Sequence, residues 1–181
     1  MLRLEAISPE DFSTLISWTD TPEFLLQWAG PPFHYPLTEE QLYAHWQVTK
    51  GEQPLRRIFK AVDLTTSEMI GHIELNNIDM ENRLARLSRV LINPQIKGRG
   101  IGTDMVREVV RMGFKEIGLH RIDLLVFNNN LSAISCYKRV GFRKEGSLRE
   151  CRRLGERYLT LDCMSILEYE WVEKNCSISS R

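Results

Sequence analysis

Between Leu91 and Gly102 the chain reads Leu-Ile-Asn-Pro-Gln-Ile-Lys-Gly-Arg-Gly-Ile-Gly. An apolar, β-branched strand stops at Asn93-Pro94. Three glycines follow at alternate positions, Gly98, Gly100 and Gly102, and an amphipathic helix begins at once. Such glycines permit positive φ and let a ligand approach the main chain closely. The first N–H groups of a helix have no internal partner, and the helix dipole favours negative charge beside them. Strand, glycine turn and helix start therefore make a cradle for a phosphate or pyrophosphate. They also demand an α/β fold with this loop at the carboxyl end of a strand, where such sheets bind ligands.

The rest of the chain supplies that sheet. Residues 2–7 alternate as a first strand, and Ser8-Pro9-Glu10-Asp11 opens a helix expected to reach about Thr19. A stretch rich in proline and aromatics, residues 20–37, reads as irregular. Thr38-Glu39-Glu40-Gln41 is a capping box for a second helix over about 39–50. Three strands joined by short links follow, at Arg57–Asp63, Met69–Ile78 and Leu84–Ile92. The helix after the glycine loop should run to about residue 117, with Gly118 as its C-cap. Arg121–Phe127 is a strand, and Asn130 caps a helix ending near Val140. Strands over about 142–152 and 157–167 flank the turn Leu154-Gly155-Glu156. The order is β-α-α-β-β-β-α-β-α-β-β, a mixed α/β sheet in one domain over residues 1–174, with a polar tail, 175–181, expected to fray.

Composition narrows the function. Lys+Arg and Asp+Glu are equal at 24 each, so no general basic field exists to hold nucleic acid. The N-terminus lacks the pattern of a signal peptide, and no apolar run approaches membrane-spanning length. Cys136, Cys151, Cys163 and Cys176 lack metal-ligand spacing and read as free thiols of a reducing compartment, so a cytoplasmic protein without a metal is expected.

The glycine spacing separates the nucleotide-binding alternatives. A P-loop needs four residues between its glycines and then Gly-Lys-Ser/Thr, which this chain lacks. A dinucleotide site needs G-x-G-x-x-G after a first strand, whereas G-x-G-x-G here follows about the fourth. Lys97-Gly98-Arg99-Gly100-Ile101-Gly102 instead resembles the Q/R-x-x-G-x-G/A phosphate loop of the GNAT N-acetyltransferases, with lysine in place of the usual Q/R. Downstream, Asn130-Leu131-Ser132-Ala133-Ile134-Ser135-Cys136-Tyr137 and then Gly141-Phe142 resemble that family's N-x-x-A-x-x-x-Y-x-x-x-G-F segment. The two motifs come in the right order, each on the right element, and the resemblance covers nearly the whole chain. The Leu119–Asp123 stretch and the closing Gly155 hairpin look most like the RimJ/RimL branch.

The resemblance implies an acetyl-CoA-dependent N-acetyltransferase acting on a primary amine of a protein N-terminus, polyamine or small molecule, by direct transfer in a ternary complex. The alternative is a non-catalytic acyl-CoA-binding sensor. Lys97 to Gly102 would hold the pyrophosphate. Val90, Leu91 and Ile92 interrupt the alternation of their strand, as a β-bulge would, and would offer backbone groups to the pantetheine arm. Asn130 would cap its helix and touch the same arm. Tyr137 would protonate the leaving thiolate. Glu74 shares a strand face with His72 and Asn76 and is the candidate base, although such a trio is often a solvated face. Trp28, Phe33, His34 and Tyr35 lie where an acceptor would bind. Arg56, Arg57, Arg149, Arg152 and Arg153 read as solvated charges or as guides for an acidic substrate. A homodimer through the sheet edge or final hairpin is compatible with this organisation.

Overall fold

The computed structural model describes residues 1–31, 33–51, 54–96 and 98–172. Seven strands form one sheet in the order β1-β2-β3-β4-β5-β7-β6. They are β1 Leu2–Ala6, β2 Arg56–Asp63, β3 Met69–Asp79, β4 Leu84–Ile92, β5 Arg121–Phe127, β6 Arg143–Leu154 and β7 Arg157–Leu167. Every neighbouring pair is antiparallel except β4 and β5. Helices α1 (Phe12–Ser17), α2 (Pro22–Trp28) and α3 (Glu39–Gln47) precede β2. Helix α4 (Ile101–Met112) follows β4, and α5 (Leu131–Val140) follows β5.

The expected strands and the order of elements are present, with helix α2 added near the start and a helical turn over residues 168–172 after β7. Helix α2 occupies part of the stretch read as irregular from its prolines and aromatics. Thr21-Pro22-Glu23 is a helix start: the Thr21 hydroxyl accepts from the Phe24 N–H at 3.1 Å, and Pro22 fills the first turn. Trp28 is therefore helical rather than in a loop. Helix α4 continues through a wider turn at Gly113–Ile117 and stops at Gly118, whose φ of 80° few other residues adopt. The expected frayed tail lies outside the described residues.

Strand alternation sorts side chains to two faces. Toward α4 and α5 point Ile73, Leu75, Leu87, Ile122 and Leu124, which enclose Met105, Val106, Val109 and Val110 of α4 in the larger core. All four α4 residues are fully buried, each worth about 1.5–3 kcal/mol against exposure. The other face meets α1–α3 through a smaller core of Phe12, Leu15, Trp18, Leu25, Phe33, Leu42 and Ile58. On that face the strands carry His72, Glu74, Asn76, Arg86 and Ser88, so a polar patch lies between sheet and helices.

Two irregularities open the sheet. Strands β4 and β5 pair only from Leu84↔Arg121 to Leu87↔Leu124, then separate. In β4 the register with β3 passes from His72↔Leu91 to Glu74↔Ser88, so one extra residue is inserted. Arg89, within the insertion, has φ 49°. This is the β-bulge anticipated from the broken alternation, and it bends β4 away from β5.

Candidate active site

A cavity of about 880 Å³ fills the gap between the separated strands and reaches both faces of the sheet. Its α4–α5 side is built on the glycine loop. Gly98 and Gly100 have φ of 86° and 82°, and open space lies where their Cβ atoms would stand. Gly100 is the N-cap of α4, and it has no side chain to satisfy the N–H groups of the first turn. A Cβ on Gly102 would come within 2.8 Å of Ile92 Cδ1, the end of a side chain that would have to turn aside. Bare helix-start donors, positive φ and absent side chains suit a pyrophosphate.

Gly98, Gly100, Ile101 and Gly102 line the cavity, as do Val90, Leu91 and Ile92 from β4. Opposite them Leu125, Val126 and Phe127 present the other freed strand. Asn130 also lines it, and its carboxamide oxygen accepts from the Ala133 N–H at 3.2 Å, capping α5. Arg99 is exposed and not among the lining residues, and Lys97 lies outside the described residues.

Tyr137 lines the cavity from α5 with only 8% of its surface exposed, its ring 5.9 Å from that of Phe142. Burial, and secondarily the neighbouring Cys136, push its hydroxyl above the ordinary tyrosine range of about 10. It therefore carries its proton at neutral pH. Cys136 also lines the cavity and accepts a hydrogen bond from the Thr103 hydroxyl at 3.6 Å. Burial raises its pKa and keeps it a thiol, a poor setting for an acyl carrier.

On the α1–α3 face the polar patch is a closed network around Glu74. The reading of His72, Glu74 and Asn76 as a solvated face is overturned: they are 2%, 1% and 7% exposed, because α2 and α3 cover them. His45 of α3 sets its Nε2 3.0 Å from both Glu74 oxygens, while its Nδ1 accepts from Arg56 Nη1 at 3.0 Å. These partners place the imidazole proton on Nε2. Arg89 Nη1 donates to Glu74 Oε2 at 3.0 Å, and Asn76 Nδ2 donates to the same oxygen at 3.2 Å. Asn76 also bonds Ser88 and accepts from Arg56 Nε.

Burial alone would raise the pKa of Glu74. The hydrogen bond from His45, then the electrostatic influence of His72 and of Arg89, outweigh it and bring the carboxyl to about 2. Glu74 does not line the large cavity, and its oxygens are already occupied. A carboxylate so held is a poor acceptor for an amine's proton, so the structure argues for an anchor at this position rather than the expected base.

The bulge is fastened from the same side. The Arg89 carbonyl, turned out of the ladder, accepts from Trp28 Nε1 at 3.0 Å and from His72 Nδ1 at 2.9 Å. Trp28 thus lines the cavity and braces the strand at once. Phe33 is buried behind it, stacked on Trp28 at 6.5 Å and tilted against His45 at 4.9 Å. His34 and Tyr35 do not line the cavity. His34 is tied to Gln41 through its backbone, and the Tyr35 hydroxyl donates to the Asp20 carbonyl at 3.1 Å.

The sequence singles out Arg56 and Arg152 as solvated charges or guides for an acidic substrate and gives no such sign for Arg86 and Arg89, yet all four line the cavity. For Arg86 the only sequence signal is its period-two place on β4, and the bulge hides even that for Arg89.

Parting parallel strands, a glycine-capped helix at the gap and a tyrosine between them form a cleft suited to a phosphate-bearing thioester. The sequence matches the acetyltransferase (GNAT) domain over residues 1–143, and the chain belongs to the GNAT acetyltransferase family. It is 23% identical over 174 residues to spermidine N(1)-acetyltransferase of Escherichia coli (strain K12), covering 96% of this chain and 90% of that one. Over 134 residues it is 30% identical to the uncharacterized N-acetyltransferase YnaD of Bacillus subtilis (strain 168), covering 74% and 76%. The crystal structure of spermidine N-acetyltransferase from Vibrio cholerae in complex with CoA and spermine matches with a TM-score of 0.83 at 24% identity, over 94% of this chain and 98% of that chain. The protein is an N-acetyltransferase with acetyl-CoA as donor. Among the described residues no cluster suited to a metal ion and no helix able to cross a membrane is found.

Proposed function

We propose that this protein moves an acetyl group from acetyl-CoA directly to a primary amine, both substrates meeting in the one cavity. The observation that carries the reading is the continuity of that cavity from the glycine loop, past Tyr137, to the α1–α3 face. It supports a ternary complex rather than an acyl-enzyme, in keeping with the protonated, half-buried Cys136.

The main chain of residues 98–102 holds the donor's phosphates, and the freed edges of β4 and β5 orient the pantetheine arm and polarise the thioester carbonyl. The Tyr137 hydroxyl supplies the proton that the leaving sulfur takes. Transfer from a tyrosine to a thiolate, ordinary pKa values about 10 and 8.5, is mildly uphill and depends on placement. Glu74 anchors Arg56 and Arg89, and the acceptor's proton leaves through water or backbone carbonyls. Relatives named for spermidine support a primary amine as acceptor, and the RimJ/RimL-like hairpin supports an exposed amine such as a protein N-terminus. The reading places the protein in the cytoplasm, where its donor is made. Exposed Leu148 and Tyr158 on the β6–β7 hairpin support pairing with a second copy.

Release of free thiol from acetyl-CoA, above hydrolysis, against a panel of α-amines, ε-amines and polyamines tests the reading. Tyr137→Phe should lower kcat by roughly 10²–10⁴-fold and leave acetyl-CoA affinity near wild type. Unchanged turnover would remove Tyr137 from the proton transfer. Tight donor binding with no thiol release from any amine would mean a sensor.

A further inference from the structure

The acceptor end of the cavity has a strongly one-sided charge. Arg56, Arg86, Arg89 and Arg152 line it on that face, and no aspartate or glutamate is among the described lining residues. Arg152 stands opposite Leu159 in the hairpin, on the strand face that Leu161 presents to the cavity. Internal pairing neutralises only part of this charge. Arg86 is matched by Asp123 through two hydrogen bonds of 2.6 and 3.2 Å. Glu74, one carboxylate behind the wall, serves both Arg89 at 3.0 Å and Arg56 at 3.9 Å. Arg152 donates to the Cys151 carbonyl and has no carboxylate within 4.0 Å among the described residues. Four guanidiniums against the two carboxylates of Asp123 and Glu74 leave two positive charges uncompensated. Arg89 also holds a buried Nε–H with no acceptor, an omission that folded proteins rarely tolerate without a role.

We propose that the acceptor is a primary amine that also carries an anionic group, a carboxylate or phosphate, seated among Arg56, Arg89 and Arg152, and that polyamines are poor substrates. The proposal rests on the transferase reading above and names its substrate class. Guanidinium forks match carboxylate and phosphate geometry. A polyamine carries only like charge into the same wall and loses its hydration there without a partner. The wall also assists the chemistry. Nearby guanidiniums disfavour the ammonium form of a bound amine and shift it toward the neutral nucleophile, so no strong base is required where Glu74 cannot serve.

The test uses purified protein, saturating acetyl-CoA and thiol release with matched acceptors. L-Amino acids are compared with their α-amides, O-phosphoethanolamine with ethanolamine, and all of these with spermidine. The two anionic arms tell a carboxylate site from a phosphate site. The anionic member of at least one pair should show kcat/KM roughly tenfold or more above its neutral partner, the worth of one charge-assisted hydrogen bond, and also above spermidine. Arg152→Gln, on an exposed hairpin where folding is not at risk, should remove most of that advantage by raising acceptor KM while acetyl-CoA KM stays constant. A smaller ratio in both pairs, a higher kcat/KM for spermidine, or an Arg152→Gln variant with full preference overturns the proposal and leaves the transferase standing. Absence of thiol release from every amine overturns both.

Discussion

The two faces of the sheet bind by different means. The donor side offers main-chain N–H groups at a helix start, held by three glycines within five residues. The acceptor side offers side-chain charge collected from α3, β2, β3, the β4 bulge and the final hairpin. A backbone cradle is local and insensitive to most substitutions around it. A charge network is distributed, so each member depends on the others' placement and one loss leaves a buried ion without its partner. The donor is common to the family, and the acceptor face is where this chain can differ from its relatives.

Substitutions can break this contrast from either side. Glu74→Ala should have the largest effect. It strands Arg56 and Arg89 without their shared counter-charge, at a cost of about 3–5 kcal/mol, and should lower Tm by about 10 °C in a chain of this size. Acetyl-CoA affinity, measured well below Tm, should hold. An unchanged Tm with collapsed kcat would instead return Glu74 to the role of base.

Acid provides a second lever of similar origin. The folded pKa of Glu74, about 2, lies below its unfolded value of about 4.5. Its contribution to stability is therefore complete above about pH 4.5 and is lost as pH falls toward 2, at most about 3 kcal/mol. Burial lowers the pKa of His72 as well, so protonation of the unfolded chain begins to cost stability just below pH 6.5. Melting temperatures between pH 7 and 3 should fall less steeply in Glu74→Gln than in wild type.

Gly100→Val acts on the donor side. A β-branched residue at φ 82° carries strain of about 1–3 kcal/mol, so titration calorimetry should show acetyl-CoA affinity reduced roughly tenfold or more. Acceptor KM at saturating donor should not move. The smallest effect belongs to Thr21→Ala, which removes the cap of α2 for about 1 kcal/mol. Acceptor KM should rise modestly through Trp28, and acetyl-CoA affinity should stay constant. Parallel changes in both constants, for either variant, would mean that the faces are not independent.

The same contrast governs what could be read from the sequence. Gly98, Gly100, Gly102, Asn130 and Tyr137 sit on two contiguous segments whose spacing states their geometry, and the cavity brings them together. The bulge was legible because apolar residues at 90–92 break a period of two. The Glu74 network was not legible, since its members are separated by up to 44 residues, from His45 to Arg89, and alternation cannot say whether a polar strand face meets water or a helix. The prolines and aromatics of residues 20–37 concealed the cap at Thr21, and with it the helix that covers that face. His34 and Tyr35 had the chemistry of a binding loop, but their hydrogen bonds hold the loop to itself.

Initial rates of thiol release, with acetyl-CoA and the best acceptor varied together, test most directly whether the two faces form one site. Direct transfer in a single cavity predicts double-reciprocal lines that intersect, with no acetylated protein detectable by mass spectrometry in the absence of amine. Parallel lines with an acetyl group on Cys136 would contradict it.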